Sequence, residues 1–362
     1  MTTPQTRRQP SVVCLGVHIL DVLGRPVPSV PPGQGSLLLD EIRLTAAGTA
    51  AGTSVDLARL GVPVASIGAI GTDAAGELLV SLLEREGVDT SLLVRREGAR
   101  TSATMLPIRP NGERPALHAP GADSSLTAED LSREHRTAVQ AARFLHLGGV
   151  DALGPFAGEP LLELVTKAKQ DDTVVTLDVL RPGDQTAFER LAPLLEHVDW
   201  FLPNEDQLRR LTGEDRLEHA AKAVRALGAK ALAVTCGEAG CLLSFDDELV
   251  VLPALSVDVV DTTGCGDGFD AGFITGLLLG GGPVEAAWLG TACGALVATG
   301  LGSDAGISSL EETLALLETA SHAATAVASL AATATTRPSV GAREAALTLR
   351  AGATRPPTAL QL

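Results

Sequence analysis

Along most of the chain, short apolar runs alternate with longer stretches in which apolar residues recur every three or four positions. The runs Ser11–Gly16, Val64–Ile70, Phe144–Leu147, Val174–Asp178, Trp200–Pro203 and Ala231–Thr235 read as strands. Cys241–Phe245 with Leu249–Leu252 adds two more. Runs without polar alternation are what strands buried on both faces look like. Helices are expected at Gly76–Glu86 and near 158–170, 187–196, 205–212, 216–227, 268–280, 284–300 and 309–319. Another lies within Ala47–Gly61, where Ser54–Leu60 carries the pattern and Gly61 ends it as a C-cap. This alternation predicts an α/β fold, a doubly wound and mostly parallel sheet covered on both faces. Ligands of such sheets sit at the carboxyl ends of the strands.

One region breaks the pattern. Thr101–Ile108 and Arg114–His118 flank Asn111-Gly112, a strong signal for a hairpin with a two-residue turn. Residues 24–36 carry Pro26, Pro28, Pro31 and Pro32 and read as an extended loop or edge segment. Together they suggest a small β-sheet lid built from about 22–46 and 98–120 and set apart from the main sheet. Residues 1–10 are polar and read as a flexible N-terminus; 11–318 form the main domain. Residues 319–362 form an Ala/Thr-rich extension, with 336–362 a disordered tail. No internal repeat is visible.

Composition narrows the function. Of 362 residues, 45% are hydrophobic, enough for a large core. Only 2% are aromatic and none is Tyr, which removes base-stacking platforms. Net charge is −16, and only four of the 28 basic residues are Lys. Such a surface repels polyanions and anionic membranes, so neither nucleic acid nor membrane is an expected partner. The five cysteines, Cys14, Cys236, Cys241, Cys265 and Cys293, show neither metal spacing nor a disulfide framework and point to a reduced cytosol. Arg7-Arg8 before an apolar run suggests a twin-arginine signal, but the run is short, holds Gly16 and His18, and ends at Asp21. It reads better as a first buried strand. No stretch approaches the apolar length of a membrane span.

The chemistry concentrates at Asp261-Thr262-Thr263-Gly264-Cys265-Gly266-Asp267, followed by an apolar helix. Two glycines let backbone N–H groups gather around an anion. A helix N-terminus there adds roughly half a positive charge. The closing carboxylate makes sense if Asp267 takes a proton from a hydroxyl as that hydroxyl attacks phosphorus. A capped glycine turn would need one acid, and here two frame the loop. Cys265 has no histidine near it in sequence and reads as a small loop residue, not a nucleophile.

With the lid hairpin, the parallel sheet and this late loop together, the chain resembles the ribokinase / phosphofructokinase-B (PfkB) family of sugar and nucleoside kinases over roughly residues 11–318. Asp261–Asp267 matches the family's Asp-Thr-x-Gly-x-Gly-Asp loop at every fixed position. The resemblance implies a ribokinase-like three-layer α/β/α fold with a lid, and an ATP-dependent kinase acting on a hydroxyl of a sugar or related molecule. It implies Asp267 as base and Gly264, Cys265 and Gly266 as donors of the anion hole. Asp21, Gly48 and Gly52 fall at substrate positions. Asn204, Thr235, Gly237, Gly240, Thr262 and Thr291 fall at nucleotide positions, and Glu205 and Gln207 near the metal. The implied cofactors are ATP, Mg2+ and a monovalent cation such as K+. Exposed lid edge strands often pair with another protomer, so a homodimer joined through the lid is expected, in the cytoplasm that the cysteine pattern suggests.

Three departures stand out. The substrate loop has Ala47 in place of a first glycine and Gly52 in place of an asparagine. The Asn-x-x-Glu near the metal reads Asn204-x-x-Gln207, which leaves Glu205 or Asp206 to supply charge. Thr176–Arg181 lacks the asparagine of the family's Asp-x-Asn-x-x-Arg, with Arg181 a possible phosphate contact. These departures keep a second reading open, a weakened member acting as a sugar sensor. A dinucleotide-binding oxidoreductase is disfavoured, because Phe269 stands where the third glycine belongs and the loop lies late in the chain. A Walker-type NTPase is excluded, because no Gly-Lys-Ser/Thr occurs.

Overall fold

A computed structural model describes residues 9–180, 185–320 and Leu330. The expectations for the first eight residues, for Arg181 and for the 336–362 tail lie outside the described residues. In chain order the strands are β1 (Val12–Gly16), β2 (Ile19–Arg25), β3 (Glu41–Ala47), β4 (Val64–Gly71), β5 (Leu93–Arg96), β6 (Ser102–Pro107), β7 (Leu117–Ala119), β8 (Phe144–Gly148), β9 (Val174–Asp178), β10 (Trp200–Phe201), β11 (Ala231–Thr235), β12 (Cys241–Phe245) and β13 (Glu248–Leu252). The helices are α1 (Thr49–Arg59), α2 (Ala74–Arg85), α3 (Arg133–Ala141), α4 (Glu159–Gln170), α5 (Gln185–Leu195), α6 (Glu205–Thr212), α7 (Leu217–Ala226), α8 (Cys265–Leu279), α9 (Pro283–Ala298) and α10 (Leu310–Thr319).

The main sheet runs β13-β12-β11-β10-β9-β8-β1-β4-β5. It is parallel from β11 to β5, with β12 and β13 antiparallel at one edge. Every residue of β1, β4 and β8 is buried, as their uninterrupted apolar runs require. One core face is closed by α1, α2, α8, α9 and α10, the other by α3 to α7. Strand order reverses at β1, with β4 and β5 on one side and β8 onward on the other. The carboxyl ends Gly16, Gly148 and Asp178 lie side by side in register at that switch point. No helix among the described residues is long and apolar enough to cross a membrane.

The small sheet runs β3-β2-β6-β7 and is mixed: β2 pairs with β6 in parallel and with β3 antiparallel. Its strands alternate, as a sheet with two unlike faces must. Asp21, Leu23 and Leu106 point inward, and Leu23 and Leu106 pack with Ile108 and Leu301. Leu44, Val22, Met105 and Leu117 are register partners, so one apolar residue per strand forms a row across the outer face. Met105 in this row is 58% exposed.

Four elements differ from the sequence reading. β2 and β3 are the lid strands on either side of the expected 24–36 loop, and neither was delimited in the sequence, because their inner faces carry Asp21 and Thr45 and so lack an apolar run. β5 and α3 are short and charged, without a readable period. The hairpin forms between β6 and β7, but without a two-residue turn. Pro107, Pro110 and Pro115 have no N–H to extend the ladder toward Asn111-Gly112. A separate turn closes instead, with the Gly112 N–H donating to the Arg109 carbonyl at 2.9 Å.

Candidate active site

The loop before α8 is held by its first acid. Asp261 accepts from the Thr263 N–H at 3.1 Å and the Thr263 hydroxyl at 2.8 Å through Oδ1, and from the Gly302 N–H at 3.0 Å through Oδ2. Its own N–H and that of Val260 donate to the Ala298 carbonyl. Asp261 thus fastens the loop to the segment after α9. Gly264 is the N-cap of α8, left-handed at φ 79°, with no side-chain cap. Any side chain there would be strained, and its Cβ would run into Ser303. The first N–H groups of a helix have no intrahelical acceptor. A Cβ on Gly266 would meet nothing within 4 Å, so this end of α8 opens onto free space.

That space is a cleft of about 1240 Å3 at the carboxyl edge of the main sheet, under the small sheet. Of the residues singled out in the sequence, Asp21, Gly48, Asn204, Glu205, Gln207, Thr235, Gly237 and Gly240 line it. So do Thr262, Gly264, Cys265, Gly266, Asp267 and Thr291. Gly52 does not line it. It sits in α1 behind the acid, where a Cβ would lie 2.5 Å from Asp267 Oδ2. The missing asparagine is therefore replaced by room for the Asp267 carboxylate.

Asp267, in the first turn of α8, is only 8% exposed. Burial, then the charge of Asp21, pushes its carboxyl up to about 7, and Arg114 acts against them. Asp21 is also raised to about 7, chiefly by burial, against a hydrogen bond with Thr104 and the charge of Arg114. Cys265 is the opposite of a reactive thiol: burial raises it to about 12.

Beneath Asp267 lies a polar layer. Asp178, at the cleft end of β9, accepts the Val179 N–H at 2.7 Å and is raised first by burial and then by Asp267. Asp270, one turn along α8, is fully buried and raised by burial and then by Asp178 and Asp267. Its Oδ2 lies 3.8 Å from His146 Nε2, while His146 Nδ1 bonds Thr176 Oγ1 at 3.0 Å. Burial pushes His146 down to about 3 and the Asp270 carboxyl well up, so each group resists ionising here.

On the nucleotide side, Asn204 caps α6. Its Oδ1 accepts the Gln207 N–H at 2.8 Å, and Gln207 Oε1 accepts the Asn204 N–H at 2.8 Å. Gln207 Nε2 donates to the Val179 carbonyl at 2.6 Å. Both ends of this amide are engaged within the protein. Glu205 pairs with Arg209 at 2.7 Å along the same helix. Asn204 bridges Thr235, whose strand ends in a turn closed by the Gly240 N–H donating to the Gly237 carbonyl. Thr291, on α9, donates its hydroxyl to the Ala287 carbonyl at 2.8 Å.

Sequence reasoning did not single out Arg114, Asp270 or His146. Arg114 looks like any loop arginine, and the other two come from segments far apart in the chain. The only signal for Asp270 is a lone acid inside an apolar helix.

The sequence signature of the pfkB family carbohydrate kinases matches residues 9–310. Fructokinase-1 of Oryza sativa subsp. japonica is 29% identical over 289 residues, 75% of this chain and 88% of its own length. Ribokinase of Haemophilus influenzae is 28% identical over 292 residues, 79% of this chain and 92% of its own. The structure of Arabidopsis thaliana ribokinase complexed with ribose and ATP superposes with a TM-score of 0.72 at 22% identity, covering 85% of this chain and 99% of that one. That last likeness shows the ribokinase-like fold. The family signature spans nearly all of the sheet and both sides of the cleft, and the chain accordingly belongs to the pfkB family of carbohydrate kinases, phosphotransferases with an alcohol group as acceptor.

Proposed function

We propose that this protein transfers the γ-phosphoryl group of ATP to a hydroxyl of a sugar, with Asp267 as general base. The observation that carries this reading is the uncapped N-terminus of α8, open to the cleft, with a buried carboxyl in its first turn. The sugar lies against the small sheet near Asp21, and the nucleotide between the Thr235–Gly240 turn and α9. The N–H groups of Gly264–Gly266 receive charge developing on the transferred phosphoryl, which is usually the largest single catalytic effect. The hydroxyl proton passes to a carboxylate oxygen of Asp267, the hydroxyl oxygen bonds to phosphorus, and the bond to the ADP oxygen breaks. Phe269 is the one aromatic side chain among the described residues lining the cleft, which favours a sugar over a nucleoside whose base would stack.

The cleft also offers hard oxygen donors at Asp178, Glu205 and Asp206, the chemistry that Mg2+ takes together with phosphate oxygens and water. Bound there, Mg2+ would neutralise charge between the phosphates. Glu205 would hold it, and Gln207 would act indirectly, by fixing the α6 end on which Glu205 stands.

ADP release with Mg-ATP across pentoses, hexoses and nucleosides tests the reading; a panel with no substantial turnover would overturn it. Asp267→Asn should fold and bind nucleotide but lose about 10²–10⁴-fold in kcat. Because the base must be ionised, wild-type kcat/KM should rise with pH through about 7.

We also propose a homodimer through the small sheet, supported by the apolar row Leu44–Val22–Met105–Leu117. Sedimentation should show a dimer that Met105→Glu dissociates. A monomeric wild-type protein at micromolar concentration would sink it.

A further inference from the structure

Arg114 stands alone in the cleft. Among the described residues that line it, Arg114 is the one basic side chain, against Asp21, Asp178, Glu205, Asp206, Glu238 and Asp267. It is carried by the loop between β6 and β7, with its side chain 36% exposed. Its Nη2 donates to the Thr262 carbonyl at 3.1 Å, and its Nε lies 3.7 Å from Asp261 Oδ1. A residue of the small sheet's loop thus bonds the loop that builds the anion site on the main body.

We propose that Arg114 is a positioning residue: brought in by the small sheet, it fixes the loop before α8 and supplies the positive charge that Asp267 faces. This rests on the reading of Asp267 as the base. The other groups around Asp267 argue for the need. Asp21 faces it from β2, Asp178 from β9, Asp56 from α1 and Asp270 from its own helix. The thiols of Cys14, from β1, and Cys265 complete the surroundings. All are acids, and burial and Asp21 hold the Asp267 carboxyl up to about 7. Arg114 is the group that acts in the opposite direction.

The sign is definite. Removing a nearby positive charge raises a carboxyl further, so Arg114→Gln should move the acid limb of kcat/KM upward by about one pH unit. Measured against wild type in the same buffers and Mg2+, with the best sugar of the panel, the variant should lose about tenfold near pH 6. The loss should shrink to about threefold or less by pH 9, and Arg114→Lys should restore the limb. An unmoved limb, or an equal loss at every pH, would overturn the proposal, since a structural or phosphate-binding role would give that result. A sugar-independent readout is the 13C carboxyl titration of Asp-labelled protein, with Asp267→Asn assigning the resonance. An Asp267 titration that Arg114→Gln leaves in place would likewise overturn it. The two readings fail separately: a fully active Asp267→Asn sinks the base itself, while an inactive one beside an unmoved limb sinks only Arg114.

Discussion

Two helices bring their N-termini to the same cleft, and they end differently. α6 closes itself: Asn204 and Gln207 exchange hydrogen bonds of 2.8 Å in both directions. α8 starts on a left-handed glycine with no side-chain cap. N–H groups that open on a cleft without a side-chain cap stay available to water or to a ligand there. Nearness to a ligand does not make a helix terminus an anion site. What decides is whether the protein's own side chains have already taken the donors. α6 therefore offers carboxylates and shape, and α8 offers the donors.

Substitutions at the two caps can break this contrast. The larger effect is expected at Gly264→Ala. Left-handed backbone costs about 1–2 kcal/mol for a residue with a Cβ, and here the Cβ also meets Ser303. Displacing the donors by that strain should lower kcat at least tenfold and weaken ATP binding, read by steady-state kinetics and calorimetry. Wild-type kcat in this variant would mean that α8 is not the anion site. The smaller effect belongs to Asn204→Ala, which removes a cap worth about 1 kcal/mol. Tm should fall by a few degrees, with kcat within about threefold of wild type. A kcat loss as large as that of Gly264→Ala would give α6 a share in the transfer and erase the difference between the two ends.

The α8 end was legible in the sequence because local rules dictate it. Gly264 takes the left-handed backbone that glycine adopts most readily, and Asp267 falls in the first turn of the apolar helix that the sequence pattern starts there. Gln207 was harder. Its sequence neighbourhood suggests an amide aimed at a metal-bound water, yet Asn-x-x-Gln at a helix start is also the pattern of a capping box, and the structure uses it so. The main-sheet strands were readable because both faces are buried. β2 and β3 were not, because Asp21 and Thr45 occupy inner positions where apolar residues would have shown the period. Arg114 and the His146–Asp270 layer depend on contacts between distant segments, and no local pattern marks them.

The loop that carries Arg114 has a property of its own. It is bracketed by Pro110 and Pro115 and pinned by its own bonds: Arg109 N–H to the Glu113 carbonyl at 2.8 Å, and Glu113 N–H to Asn111 Oδ1 at 3.2 Å. Freezing a free backbone costs about 1–2 kcal/mol per residue. A loop already narrowed by two prolines and an internal turn has less of that entropy left to lose when it settles on the cleft. The arginine is thus presented on a nearly preformed arm rather than on a slack strap.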